Sequence, residues 1–200
     1  MKRIIQTFLL VSMVFLLMAQ SGSNNSSKET SLHFGLGVYH TPAYKADDVV
    51  GLEFMLKAQF HLKKTLALVR IGYGYELAGF YDPIFGNTNP KDRNLELSFL
   101  LGHNINSTTR QFRGRTIDHS FMAFAGLGFA SGNYRGDLIK CDNSWFPDCE
   151  YEQINFSVLS LPLELQYLRR KKDGLAFGVS LFGNLNFARP SYGMVLTLGG

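Results

Sequence analysis

Two cysteines, five histidines and a set of charged side chains lodged in otherwise apolar stretches are the groups in this chain that could do chemistry. Cys141 and Cys149 are the only thiols and lie eight positions apart, around Trp145 and Pro147. In an oxidising compartment such a pair is expected to close a disulfide. Its contribution would be a few kcal/mol at most, mainly by restricting the loop. The alternative use of the two thiols is a metal site, but no histidine lies in that segment, so no metal ligand is assigned. The histidines, at 33, 40, 61, 103 and 119, would suit a hydrolase or acyltransferase. Against that, the chain has no Gly-x-Ser-x-Gly, no His-Glu-x-x-His and no phosphate-cradling loop. No catalytic residue and no cofactor are therefore assigned, and an enzyme is not expected. Glu53, Lys57, Arg70, Glu76, Glu96, Glu164 and Gln166 each sit between apolar residues. Charges of both signs in one enclosed space are expected to form a hydrogen-bonded, charge-paired network; a proton or ion path is the functional alternative. The basic run at 169–172, RRKK, reads as a solvated turn, with anionic headgroups or a protein partner as the alternative.

The elements that must position these groups are strands. From Val50 to Leu62, apolar residues alternate with Gly51, Glu53, Lys57, Gln59 and His61, which is period two. From Val69 to Leu77, Ile71, Tyr73 and Tyr75 alternate with Arg70, Gly72, Gly74 and Glu76. A helix would scatter such residues around its circumference. Similar alternation marks SLHFGLGVYH (31–40), NLELSFLLGH (94–103), SFMAFAGLGFA (120–130), INFSVLSLPLELQYL (154–168), LAFGVSLFGNLNF (175–187) and a short last strand, GMVLTLGG (193–200). A phase slip near Leu159 predicts a bulge in the sixth strand. Residues 104–118 show no alternation and read as a connection, as do residues 131–152. Composition agrees with sheet: 17 Phe, 9 Tyr, 20 Gly and only 18% charged residues, against about a quarter in an ordinary soluble domain. The formal charge is +4. Basic residues cluster at turns and form no nucleic-acid face.

Residues 1–19 have the basic, apolar and small-residue parts of a secretory signal, ending at Ala19; an uncleaved anchor is the alternative. Residues 20–30 read as a flexible polar leader and 31–200 as one domain. The face opposite the apolar one is rich in Gly, Ser and Asn, including Gly35, Gly72, Ser98, Gly128, Ser180 and Asn184. Small residues suit the crowded interior of a narrow barrel, and an uninterrupted apolar outside suits lipid. Long connections at 41–49, 78–93, 131–152 and 188–192 would lie outside, and turns at 63–64, 104–118 and 169–174 inside. Phe80, Tyr81, Phe85, Trp145 and Phe146 in the long connections would serve surface contacts or an aromatic girdle. The expected fold is all-β: an eight-stranded antiparallel up-and-down transmembrane β-barrel of the outer membrane. Its role would be structural or surface-interactive, with a filled lumen. The rival is a secreted lipocalin-like carrier, with the apolar face turned inward around a ligand.

The Ala19 and Gln20 junction, the glycine-broken HFGLGVYH and above all SLPLELQYLRRKKDG resemble the outer-membrane β-barrel family common in Bacteroidetes. That family includes the PorT-like proteins and is built like the small OmpA/OmpX-type barrels. The resemblance implies a second role, as an accessory barrel of a secretion or assembly system. The partners expected are outer-membrane lipid, the barrel assembly machinery and a surface or periplasmic protein, with the chain as a monomer and no nucleic acid. One departure is the ending Leu198, Gly199, Gly200, where such barrels usually carry an aromatic residue.

Overall fold

The computed structural model of the chain describes residues 30–42, 49–62, 65–77, 91–112, 115–141, 149–171 and 175–200. The signal segment and most of the polar leader lie outside the described residues. Eight strands follow one another, each antiparallel to the next, and the last pairs with the first to close a barrel. They are β1 (Thr30–Thr41), β2 (Val49–His61), β3 (Leu66–Glu76), β4 (Arg93–Phe112), β5 (Arg115–Cys141), β6 (Cys149–Lys171), β7 (Ala176–Leu185) and β8 (Ser191–Gly199). The described residues contain no helix. Closure runs from His33 opposite Gly199 to His40 opposite Tyr192. The chain's last strand is therefore a full member of the barrel despite its Gly199 and Gly200 ending.

The alternation read from the sequence separates the two faces of the wall. Leu32, Phe34, Leu36 and Val38 of β1 are exposed, and so are Leu161, Leu163 and Leu165 of β6 and Met194, Leu196 and Leu198 of β8. Every one of the eight strands carries at least one large exposed apolar residue on that outer face. The side chains between them are buried in the interior. The apolar face thus turns outward, the opposite of what a carrier with an internal ligand requires.

Four expectations are corrected. The basic run at 169–172, read as a turn, is strand as far as Lys171, which pairs with Ile117 of β5. Residues 104–118, read as a connection, are strand: β4 runs on to Phe112 and β5 starts at Arg115, paired down to Phe112 opposite Arg115. Most of 131–152 is likewise strand, with β5 and β6 paired up to Cys141 opposite Cys149. The fourth concerns Leu159, where no bulge occurs. Phe129 pairs with Leu159 and Ala130 with Val158 in unbroken register, and the shifts lie at Asn104/Asn106 and between Arg135 and Lys140. What changes at Leu159 is chemistry. Leu159, Leu161 and Leu163 point outward, but above them the outward positions are Asn155 and Ser157, while Ile154, Phe156 and Val158 turn the other way. On β5 the outward series changes at the same level, from Leu127 and Phe129 to Ser131 and Asn133. The hairpin therefore rises past the end of the apolar belt, and its residue types invert there while its backbone does not.

Candidate functional site

The interior is layered. At mid-barrel Lys57 and Arg70 face each other across β2 and β3 and are fully buried. Lys57 Nζ donates to Glu164 Oε1 at 2.5 Å and to Ser180 Oγ at 2.8 Å. Arg70 Nη1 donates to Glu164 Oε2 at 3.0 Å, and Nη2 to Glu96 Oε1 at 2.5 Å. Asn184 Nδ2 donates to Glu96 Oε2 at 2.6 Å, and the Ser98 hydroxyl donates to the same carboxylate. The Arg70 guanidinium also lies over the Phe182 ring, 5.7 Å from its centroid. Two cations and two carboxylates thereby neutralise one another across β2, β3, β4, β6 and β7. Short inward residues make the room: a Cβ on Gly72 would lie 2.6 Å from Glu53 Oε1, and one on Gly74 2.9 Å from Glu53 Oε2.

Of the seven network residues expected from the sequence, Lys57, Arg70, Glu96 and Glu164 form this connected unit. Glu53 is buried beside it against Gly72 and Gly74. Glu76 belongs elsewhere, at the barrel end bearing the long β5–β6 hairpin, called here the far end. There its carboxylate accepts from Asp92 N at 3.0 Å and from Arg135 Nη2 at 3.2 Å. Gln166 is fully buried but neither atom of its amide has a hydrogen-bond partner. The members missed from the sequence are Ser98, Ser180 and Asn184, whose shortness was read as space-filling although their donors complete the carboxylate shells.

Apolar layers flank the charges, and these were also missed. Toward the near end, where β1 begins, Leu66, Leu68, Leu100, Met122, Phe124 and Leu168 form a buried cluster. Toward the far end Tyr39, Val49, Met55, Phe182 and Val195 form another. Period two carried the signal, since Leu66 and Leu68 are in phase with Arg70, Leu100 with Glu96, and Leu168 with Glu164. At the far rim Asp92 Oδ2 accepts from Arg189 Nε at 3.2 Å and from Nη2 at 2.5 Å. Burial holds the Asp92 carboxyl above the usual carboxylate range, with the Arg189 hydrogen bonds and charge opposing the shift. Arg189 lies 5.5 Å from the Tyr134 ring centroid, a cation–π contact that ties the β7–β8 connection to the hairpin.

The histidines do not converge. His33 is buried and hydrogen-bonded through Nε2 to Ser31 Oγ at 3.0 Å. His40 packs on Tyr192 with ring centroids 5.1 Å apart, and His119 Nδ1 lies 2.7 Å from the Tyr167 hydroxyl. Among the described residues no three His, Cys, Asp or Glu side chains gather where they could hold a metal ion. The backbone sets Cys141 directly opposite Cys149 at the end of the hairpin.

No family model matches the chain, and no curated protein matches it. Among solved structures the chain is similar to Neisserial surface protein A (TM-score 0.49, 8% identity, 85% of this chain and 95% of that one). It is also similar to Ail, the attachment invasion locus protein of Yersinia pestis (TM-score 0.48, 11% identity, 87% and 98%). A third is the N-terminal β-barrel domain of Pseudomonas aeruginosa OprF (TM-score 0.46, 10% identity, 86% and 96%). Likeness at this level carries no argument about activity, and the architecture rests on the chain's own strand pairing.

Proposed function

We propose that the chain is a non-enzymatic outer-membrane β-barrel with a filled lumen that acts through its far-end hairpin and connections. The observation that carries this reading is the outward apolar belt on all eight strands of a closed barrel. Closure leaves no backbone edge to be satisfied within lipid, which is the condition for strands to span it. On β6 the outward apolar series runs from Leu159 to Tyr167. It rises about 27 Å along the strand and roughly 20 Å along a barrel axis inclined by about 40°, close to the ~25 Å apolar band of such proteins. The lumen side supports a role other than transport. Charged and apolar layers alternate through it, and the charges are engaged with one another. They form a structural tie in which the Ser98 and Ser180 hydroxyls complete the hydrogen bonding of Glu96 and Lys57.

The near end, where β2–β3, β4–β5 and β6–β7 are joined by the shortest connections, is then periplasmic, and the β5–β6 hairpin stands in the external medium as the surface available to partners. The test is electrophoresis of envelope-fraction protein in SDS, unheated against boiled. A closed lipid-facing barrel keeps its fold until heated and shifts in mobility. Release without detergent together with an unshifted band would refute membrane insertion.

A further inference from the structure

At the near end, β4, β5 and β6 continue past the last residues of the apolar belt, and the register sorts the basic residues there onto one face. Below the irregularity at Asn104/Asn106, Thr108 pairs with His119 and Arg110 with Ile117; on the other side of β5, His119 pairs with Arg169 and Ile117 with Lys171. Directly opposed residues in an antiparallel sheet share a face. His119 and Ile117 are two and four positions from the outward Phe121, and Arg169 and Lys171 are two and four from the outward Tyr167, so the backbone phase of both rungs continues that of the outer face. The Ile117 side chain itself is buried, and it is the basic residues on either side of it that are open. Thr108, His119 and Arg169 make one rung; Arg110, Ile117 and Lys171 make the next. Arg110, Arg169 and Lys171 are exposed, while the His119 ring is fixed by the Tyr167 hydroxyl at 2.7 Å. The acid of this segment, Asp118, takes the other face, where Thr109 Oγ1 donates to it at 2.7 Å and Arg170 is its cross-strand partner. Neither rung contains a carboxylate.

Depth fits the chemistry. Two and four residues along a strand inclined by about 40° place the rungs about 5 and 10 Å below Phe121 and Tyr167. The headgroup region adds roughly 5–7 Å on each side of the hydrocarbon core, so the first rung lies within it, while the second lies a few ångström beyond it and reaches it through the long side chains of Arg110 and Lys171. We propose that this patch is a binding site for the phosphate of an anionic phospholipid, held by Arg110, Arg169 and Lys171, with His119 and Thr108 as further polar contacts and Phe121 and Tyr167 against the start of the acyl chains. The inference rests on the membrane reading above.

The test compares the full-length protein with the Arg110→Gln, Arg169→Gln, Lys171→Gln triple variant and with Lys140→Gln, a charge removed from the exposed far-end hairpin. Each is folded into nanodiscs of phosphatidylcholine with a minority of phosphatidylglycerol, and retained lipid is counted by native mass spectrometry. The unmodified protein and Lys140→Gln should retain phosphatidylglycerol with a preference of about tenfold over phosphatidylcholine, on the scale expected for a few cations at an anionic surface. The triple variant should fall to parity while keeping its heat-dependent gel shift. A shifted, inserted protein without lipid preference overturns the site alone, as does a triple variant that keeps the preference. Displacement of phosphatidylglycerol by equimolar inorganic phosphate would overturn lipid as the ligand. Loss of the gel shift in the unmodified protein overturns the membrane reading and the site with it.

Discussion

Removing the Glu164 charge should do more damage than removing its partner Lys57. Glu164 is fully buried, 2.5 Å from Lys57 Nζ and 3.0 Å from Arg70 Nη1. Glu164→Gln leaves Arg70 with Glu96, but leaves the Lys57 ammonium with only neutral hydrogen-bond acceptors, the Ser180 hydroxyl and the new amide oxygen, in place of its carboxylate. Breaking one side of a buried ion pair costs about 3–5 kcal/mol, and the surviving Glu96 contact argues for the lower end, about 3 kcal/mol. Lys57→Met is milder, about 1–2 kcal/mol, because Glu164 keeps Arg70 and no cation is stranded. The double variant removes the stranded ammonium as well, so its cost should fall short of the sum of the two single costs by about 2 kcal/mol. The assay is the folded fraction against urea in lipid vesicles, scored by the unheated gel band, with stabilities taken at equal denaturant slope. A Glu164→Gln cost below about 1 kcal/mol, or strict additivity in the double variant, would refute the view that these charges act as one unit.

Cys141 and Cys149 should resist alkylation in the oxidised envelope protein and both label after reduction, because opposed residues of an antiparallel pair have Cα atoms about 4.5–5.5 Å apart, within disulfide range; labelling of either thiol without reductant would exclude the bridge. Gly37→Ala should abolish the folded band, since its Cβ would lie 1.9 Å from the Met194 carbonyl oxygen of the paired strand, whereas Gly35→Ala meets only side-chain atoms at 3.3 Å and should be tolerated. Equal folding yields for the two variants would contradict the close approach of β1 to β8. Gln166→Met should leave stability within about 1 kcal/mol of the unmodified protein or raise it, as the buried amide has no hydrogen bond to lose; a loss above about 2 kcal/mol in the same urea titration would show that the amide is engaged.

The sequence was most legible within the outward apolar belt. Leu32, Phe34, Leu36 and Val38, or Leu161, Leu163 and Leu165, alternate cleanly because every outward position in the belt must be apolar and every inward one must fit a narrow interior. Beyond the belt that demand ends. Asn106, Thr108 and Arg110 pair with β5 as regularly as Phe99 and Leu101 do, but backbone hydrogen bonds hold them there and hydrophobicity leaves no mark, so 104–118 looked like a loop. The inversion at Leu159 resembled a bulge because a change of surroundings and a slip of backbone produce the same shift in apolar phase. The charged set was visible as charges breaking apolar runs, but which pairs meet depends on barrel stagger. Thus Glu76, equally in phase with Arg70, ends at the far rim, while Glu164, distant in sequence, completes the network.

Closure by β1 and β8 also has a consequence for assembly. Each of these strands finds one of its two neighbours at the opposite end of the chain, so the contact with the largest sequence separation is the one that seals the wall. Until β8 arrives, β1 presents a row of unmatched amide and carbonyl groups from His33 to His40, each costing several kcal/mol if immersed in hydrocarbon. In the proposed membrane setting, stepwise entry of hairpins is therefore penalised until the last strand is present. Loss of β8 would not fray one edge: it would reopen two at once, on β1 and on β7.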